Sequence, residues 1–424
     1  MDGPLINSPD FAKQLDKEDA LAGFREQFLI PQTDGRRQVY FLGNSLGLQS
    51  ANMRNTIDTV LGQWANDGVE SFFRGNEPWV DYHDHLAPTL ATITGALPQE
   101  ITVMNQLTVN LHLMMASFYQ ATSSRKKIIC EAKAFPSDQY MLHSFARHLG
   151  LDPDEVIVEV SPREHEDIIR HEDIIAAIQR HSNTVALVFF GAVNYYTGQL
   201  FDLRSITEAA HSAGAIVGFD CAHAVGNVAL QLHDWNVDFA CWCSYKYLNS
   251  GPGAIGGAFI HERYHHDPAL PRLAGWWGHA KATRFLMPKT FSADASASGW
   301  QLSTPSQVLL AMHRAALGIF AAAGWHSIQA KQHLMKRFLW LVVSDAARRL
   351  DDRFLILTPR DPAERGSQLS LKFADNSRFV FDHLTSHGFM VDWREPGVLR
   401  LAPVPLYNTF EEIWQFGDCL TQIH

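Results

Sequence analysis

The feature that most constrains this chain is the alternation of short apolar segments with helical segments between residues 90 and 260. The apolar segments carry β-branched and aromatic residues, and a stretch long enough for a helix separates most of them. This pattern predicts an α/β fold with a mostly parallel sheet covered by helices on both faces, whose ligands bind at the carboxyl ends of the strands. The segments are Lys127–Cys130, Glu155–Val160, Thr184–Phe190, Ala215–Phe219, Val237–Cys243 and Ala254–Ile260.

The rest of the chain predicts a smaller α+β domain. Helical patterns cover Leu309–Ala323 and residues 326–350, and short strands separated by Gly/Pro turns follow at Phe354–Leu357, Gln368–Phe373 and Val398–Leu401. We predict three parts: an N-terminal segment at 1–60 that packs on the small domain, a large ligand-binding domain at 61–310 and the small domain at 311–424.

Composition narrows the classes of partner. A chain of 424 residues with 46% hydrophobic content can bury a large core in two domains. The net charge of −10, without Lys/Arg blocks, argues against nucleic acid and anionic membranes and favours a small-molecule partner. No apolar run approaches the roughly 18 residues that span a bilayer. Five cysteines with no metal-site or disulfide spacing fit a reducing cytoplasm.

Two polar residues end neighbouring apolar segments. Lys246 follows Val237–Cys243 and precedes a Gly-rich turn, which places one amine at the end of a buried strand. Such a desolvated amine is what a Schiff-base lysine requires. Asp220 ends the preceding segment, where a carboxylate would keep the ring nitrogen of pyridoxal phosphate protonated. Together the two residues predict a site for that cofactor, whereas either alone is typical of a surface charge or a cap.

Other segments could complete the site. Thr108 stands at a polar turn before an apolar helical run and is a candidate phosphate ligand or a simple helix cap. Phe135 precedes another helix start, where its ring could stack on a pyridine and Asp138 could accept hydrogen bonds. The hydroxyl of Tyr245 could bind phosphate or relay a proton.

Two later segments indicate contacts with a ligand or a partner. The loop Gly275–His279 carries Trp276 and Trp277, whose exposure would be costly without a ligand or a second subunit, although core packing is also open. Arg400 ends a short strand and is suited to a bidentate grip on an α-carboxylate. For Arg394 we favour surface ion pairing.

A competing motif is His261-Glu262-Arg263-Tyr264-His265, which matches the zinc-hydrolase pattern His-Glu-x-x-His. On a helix it would place two imidazoles on one face with Glu262 as general base. The motif begins where a strand-like run ends, and Pro268 follows, so the helix that it needs is disfavoured. We therefore expect no metal in the site.

In combination these motifs resemble the kynureninases, pyridoxal-phosphate hydrolases of the aspartate-aminotransferase fold. The resemblance runs in order from about residue 38 to 415. It implies a seven-stranded, mostly parallel sheet sandwiched by helices. The motifs are Phe41–Gly47, Phe135–Asp138, Gly218–Gly226, Cys243–Asn249, Gly275–His279 and Arg400–Tyr407.

The resemblance implies a role for each matching residue. Lys246 would bind the cofactor covalently, Asp220 would pair with the ring nitrogen and Phe135 would stack on the ring. Tyr245 is the candidate for proton delivery. A homodimer with shared sites is implied, because relatives of this fold often supply part of the phosphate site from the neighbouring subunit. The remaining cofactor contacts would be Leu107, Thr108, Pro136, Ser137, Asp138, His223, Tyr245, Trp276 and Thr304, and the substrate contacts Ser45, Phe72 and Arg400.

The implied reaction is hydrolysis of the Cβ–Cγ bond of L-kynurenine or 3-hydroxy-L-kynurenine to an anthranilate and L-alanine, in tryptophan breakdown or pyridine-nucleotide synthesis. Gly191 stands where relatives often carry a hydroxyl residue. Phe72 and Thr304 would shape the pocket for the aryl ring and leave the preference between the two substrates open. A cysteine desulfurase is the nearest alternative, with Cys419 the only late cysteine.

Overall fold

A computed structural model describes residues 4–423. Its centre is a seven-stranded sheet, and six of the strands overlap the apolar segments identified in the sequence. The additional strand, Ile101–Val103, has only three residues, too few for a period to be recognised. In chain order the strands are β1 (Ile101–Val103), β2 (Lys127–Glu131), β3 (Ile157–Val160), β4 (Val185–Gly191), β5 (Ile216–Asp220), β6 (Phe239–Trp242) and β7 (Gly257–Ile260).

The strands lie in the order β1-β7-β6-β5-β4-β2-β3. Neighbours from β6 to β3 are parallel, whereas β7 is antiparallel to both β6 and β1. The prediction of a mostly parallel sheet is therefore confirmed. Because β5 and β6 are adjacent and parallel, the segments that follow them emerge at the same edge of the sheet.

Both faces of the sheet are buried. Ile129, Val188 and Phe190 belong to one apolar cluster, and Ile128, Leu187 and Phe189 belong to another on the opposite face. Successive residues of a strand point to opposite faces, so continuous apolar runs are what a sheet covered twice requires. The helices are α1 (Pro9–Lys17), α2 (Met53–Asp67), α3 (Ala87–Thr94), α4 (Leu107–Phe118), α5 (Pro136–His148), α6 (Pro153–Val156), α7 (His171–Arg180), α8 (Leu203–Ser212), α9 (Gln307–Ala323), α10 (Trp325–Arg349), α11 (Ser377–Ser386) and α12 (Phe410–Thr421).

The C-terminal part forms a four-stranded antiparallel sheet with its own apolar core. Its strands are β8 (Phe354–Ile356), β9 (Leu369–Phe373), β10 (Asp392–Arg394) and β11 (Val398–Leu401), in the order β8-β9-β11-β10. Ala12 and Leu15 of α1, and Phe41, are buried in the same core. The division at residues 60 and 310 stays a prediction.

The motif Phe41–Gly47 connects the two sheets. The amide of Gly43 donates to the carbonyl of Ala402, just after β11, and the amide of Gly47 donates to the carbonyl of Tyr245 at 2.8 Å. A Cβ on Gly47 would lie 2.3 Å from the Lys246 carbonyl oxygen, so only glycine allows this approach. The motif thus holds the turn after β6 against the small domain.

Among the described residues, no single helix is both long and apolar enough to cross a membrane, and α9 with α10 satisfies the length and composition only as a pair bent by 81°. Cysteines 130, 221, 241, 243 and 419 are all buried and free.

Candidate active site

Lys246 lies in the turn that follows β6 and is 8% exposed. Within the described residues no side chain or carbonyl forms a hydrogen bond or an ion pair with its ammonium group. Nζ lies 5.8 Å from the ring centroid of Phe135 and 5.8 Å from that of Tyr245. A buried amine between aromatic rings, with no partner of its own, is placed to react with a carbonyl ligand.

Asp220 ends β5 beside this amine. Its Oδ1 accepts a hydrogen bond of 2.7 Å from the amide of Ala222. Burial raises the pKa of the Asp220 carboxyl, and the nearby Lys246 ammonium opposes that shift. Asp220 is therefore the carboxyl of this site that is best placed to remain an anion.

Asp138 lies beside Asp220, and the two carboxyl groups influence each other's protonation. It lies in the first turn of α5, fully buried, within hydrogen-bonding distance of Asp220. Burial, followed by repulsion from Asp220 and Glu131, raises the pKa of the Asp138 carboxyl well above its ordinary value. Two carboxylates this close repel each other, so Asp138, with the larger upward shift, is the one of the pair that favours the protonated form.

Glu131, whose role was not identified from the sequence, explains why position 191 is a glycine. The Glu131 carboxylate accepts from the Gly191 amide at 3.1 Å and from Asn194 Nδ2 at 2.8 Å. A Cβ on Gly191 would lie 2.7 Å from Glu131 Oε1. Burial raises the pKa of Glu131 to about 7. The carboxyl therefore fills the space that a side chain at position 191 would need.

The N-terminus of α4 offers unpaired amides. Leu107 and Thr108 are its first two residues, and no intrahelical carbonyl can accept from their amides. Asn105 holds the preceding turn with φ 46°, and its carbonyl accepts from the Gly256 amide at 2.6 Å. Gly256 also packs beside the carbonyl of Trp242, at the end of β6. The arrangement brings an anion-binding helix end to the edge of the sheet that carries Lys246.

Phe135 and the start of α5 face the same edge. The Phe135 ring is 39% exposed and packs against Tyr195 at 5.2 Å between centroids. Pro136 and Ser137 are the first two residues of α5.

Tyr245 stands next to Lys246 in the turn after β6. Burial, together with the neighbouring thiol of Cys243, raises the pKa of the half-buried Tyr245 hydroxyl. Tyr245 therefore stays a neutral proton donor.

The site leaves buried polar atoms without partners. Asp138 Oδ1, His223 Nδ1 and Arg400 Nε make no hydrogen bond in the described structure. Burial lowers the pKa of His223 well below its ordinary value, so its imidazole is neutral. Buried polar groups are normally paired, so these atoms, the free amine and the half-exposed Phe135 ring fit a polar aromatic cofactor.

Arg400 lies on β11 and is buried. Nη1 donates to the carbonyl of Tyr195 at 2.6 Å, and Nη2 donates to Asp392 on the adjacent strand β10. Ser45 Oγ donates to the same Asp392 oxygen at 3.0 Å, and Arg394 pairs with it as well. The Asp392 carboxylate is thus already paired with Nη2 of the Arg400 guanidinium. Asp392 and Tyr195 were not recognised in the sequence, because neither stands in a motif.

In the part of the chain that the structure describes, no ring contact or hydrogen bond connects Lys246 with Phe72, Trp276 or Thr304. Trp276 is 46% exposed and Phe73 is 53% exposed. Ring contacts of 5.3 to 6.4 Å connect an aromatic surface that also includes Trp277 and Phe285. The Trp277 amide donates to the Leu302 carbonyl, two residues before Thr304. The aromatic surface consists of the exposed rings of Phe73, Trp276 and Phe285, which pack on the half-buried Phe72 and the buried Trp277.

The two alternatives find little support in the geometry. Glu262–Tyr264 is a single 3₁₀ turn, His261 Nδ1 accepts from the Arg263 amide, and His265 Nε2 bonds the Ile260 carbonyl at 2.9 Å. The imidazoles are thus engaged separately, and the helix required for the zinc motif is absent from this stretch. Cys419 lies buried on α12 rather than on an exposed loop.

Comparison with known proteins defines the class. The aminotransferase class-V family model matches residues 88–373, and the kynureninase C-terminal domain model matches residues 328–420. Solved structures agree on the fold: an apo cysteine desulfurase from Thermococcus onnurineus NA1 has TM-score 0.71 at 18% identity, covering 91% of this chain and 94% of that chain. A C-DES mutant with glycine linked to its PLP cofactor has TM-score 0.75 at 16% identity, covering 90% and 96%. The protein is a pyridoxal-phosphate-dependent enzyme of fold type I.

Curated relatives define the family. A kynureninase of Flavobacterium johnsoniae is 50% identical and covers 98% of this chain and 97% of its own length. Kynureninases of Myxococcus xanthus, at 50% identity with 98% and 97% coverage, and of Nematostella vectensis, at 45% with 98% and 94%, align as fully. The chain belongs to the kynureninase family, which confirms the resemblance inferred from its motifs.

If Asp138 is the neutral carboxyl group and Asp220 the anion, two matched substitutions should give different results. Asp220→Asn removes the anion, and we expect kcat to fall by about 10²–10³. Asp138→Asn replaces a group that is already neutral, so most activity should remain. Steady-state kinetics with saturating cofactor, and the absorbance of the bound cofactor, measure both. Equal losses in the two variants would contradict the assignment of the proton to Asp138.

Proposed function

We propose that this enzyme uses water to cleave the Cβ–Cγ bond of L-kynurenine, of 3-hydroxy-L-kynurenine or of both, giving L-alanine and the corresponding anthranilate. The observation that carries the proposal is the buried, unpaired Lys246 beside Asp220, in a chain 50% identical to a kynureninase over 98% of its length. The reaction would serve tryptophan catabolism or NAD synthesis.

The residues described above would hold pyridoxal phosphate. When bound, this cofactor supplies an electron sink that stabilises negative charge on carbons of an attached amino acid. Asp220 would keep its ring nitrogen protonated, with Asp138 fixing the carboxylate. Phe135 would stack on the ring, and the amides of Leu107 and Thr108 would hold the phosphate. His223, Pro136 and Ser137 would border the ring.

The substrate would be oriented by its α-carboxylate. Arg400 has an unpaired Nε and a second arm on Asp392, so an incoming carboxylate would compete with Asp392 for the guanidinium. Ser45, which donates to Asp392, would shift to the substrate at the same time. Phe72, which does not contact Lys246 in the described part of its own chain, would border the aryl ring from a second copy of the chain.

Proton transfers would fall to two side chains. As a neutral amine, Nζ of Lys246 would accept the α-proton of the substrate and would return a proton to Cα before alanine leaves. The oxygen of water would become part of the new carboxyl group at Cγ. Tyr245 would deliver a proton to Cβ, which becomes the methyl group of alanine. Water is thus split between the two products, and no oxidant is required.

The turnover experiment compares L-kynurenine and 3-hydroxy-L-kynurenine in parallel. We expect the purified, cofactor-loaded protein to release alanine and an anthranilate from at least one of them, and Lys246→Ala to lose the activity. The products are quantified by chromatography, and kcat/KM decides the preference. Absence of turnover of both by a protein that retains cofactor absorbance would refute the proposed substrates.

We infer a homodimer in which each site is completed by the partner. The resemblance implies that Trp276 and Thr304 contact the phosphate, yet among the described residues neither contacts Lys246, and Trp276 is 46% exposed. A second copy would cover the aromatic surface and bring Trp276 and Thr304 to the phosphate. The five free, buried cysteines fit a cytoplasmic enzyme.

Shared sites predict complementation between variants. In a mixture of Lys246→Ala and Trp276→Ala chains, half of the random dimers are heterodimers, and each has one site with both native residues. We expect about one quarter of wild-type activity after the subunits are exchanged. Activity assays and analytical ultracentrifugation measure the result. A mixture with only the mean activity of the two variants would contradict shared sites.

A further inference from the structure

Within residues 4–423, two clusters of potential metal ligands lie outside the active site. Glu100, His233 and His261 form one, and His383, His387 and Cys419 form the other. In each cluster, one ligand atom per residue lies within 4.8 Å of the others. Such proximity alone does not distinguish a metal site from a hydrogen-bonded network, so the partners of each ligand atom decide between them.

The first cluster is a hydrogen-bonded network. Glu100 Oε1 accepts from His233 Nδ1 at 2.9 Å and from the Glu262 amide at 2.9 Å, and its Oε2 accepts from the Leu97 amide. His261 Nδ1 accepts from the Arg263 amide. A metal would have to displace these bonds, so the cluster is explained without one.

The second cluster, in contrast, contains a buried ligand atom without a hydrogen-bond partner. His383 and His387 stand four residues apart on α11, which places both imidazoles on one helical face, with ring centroids 4.2 Å apart. Cys419 comes from α12, which packs against α11. His383 Nε2 is buried without a hydrogen-bond partner, although buried imidazole nitrogens are normally paired.

The hydrogen bond of His387 Nδ1 fixes the tautomer of that imidazole. His387 Nδ1 lies 2.8 Å from the His383 carbonyl oxygen, which can only accept, so Nδ1 carries the proton and Nε2 keeps a lone pair. His383 Nε2 has no hydrogen-bond partner, so it too is open to a ligand. An imidazole that donates one N–H to a carbonyl and leaves the other nitrogen free is the usual arrangement in metal sites.

We propose that His383, His387 and Cys419 bind one thiophilic divalent transition-metal ion, Zn²⁺ by preference, with water as the fourth ligand. Two imidazoles and one thiolate suit the tetrahedral preference of Zn²⁺, and the exposed side of His387 leaves room for water. Binding releases the thiol proton of Cys419 as the Zn–S bond forms. The ion would tie α11 to α12 and stabilise the small domain, away from Lys246.

The test is a titration of the tag-free holoenzyme with ZnCl₂ and, separately, CoCl₂. We expect one ion per chain, a higher melting temperature with Zn²⁺, and cobalt ligand-field bands with the intensity of a tetrahedral thiolate site. His387→Ala, a change at an exposed position, should weaken binding by about tenfold or more and remove the thermal shift. Cys419→Ser should remove the thiolate signature.

The matched control is His233→Ala, which alters the other cluster and should leave metal binding unchanged. Cofactor absorbance and kynurenine turnover in every variant show that the fold is retained. The proposal is overturned if the wild-type chain binds no ion, if His387→Ala binds as tightly as wild type, or if His233→Ala rather than His387→Ala abolishes binding.

Discussion

The site depends on the placement of one buried amine beside one buried carboxylate. Lys246 and Asp220 follow β6 and β5, which are adjacent and parallel, so the topology of the sheet alone sets them at one edge. Burying an ammonium or a carboxylate without a partner costs several kcal/mol. The attraction between the two charges reduces that cost, and the close approach of Gly47 to the Lys246 carbonyl fixes the turn that carries the lysine.

The carboxyl groups of Asp220, Asp138 and Glu131 would repel each other if all were charged. Burial and mutual repulsion raise the pKa values of Asp138 and Glu131, which leaves Asp220 as the anion nearest to Lys246. The same balance explains Gly191, since the Glu131 carboxyl occupies the space that a side chain there would fill. The net charge beside Lys246 is thus set by which carboxyl groups are protonated and not by how many are present.

The sequence predicted the fold and the residues at the sheet edge because both follow from local patterns. Continuous apolar runs predict parallel strands, and Asp220 and Lys246 stand directly at the ends of two of them. Asp392 and Tyr195 could not be found in this way, because their roles arise only when distant segments of the chain meet. Glu131 ends β2 as Asp220 ends β5 and was overlooked. β1 and β10 were missed because three residues carry no readable period.

The most direct measurement of the central claim is to locate the lysine that carries the cofactor. The holoenzyme is reduced with borohydride, digested and analysed by mass spectrometry. The account predicts that the peptide containing Lys246 carries the reduced cofactor with full occupancy and that Lys331, another buried lysine, is unmodified. Modification of a different lysine, or of none in a protein that turns over its substrate, would contradict it.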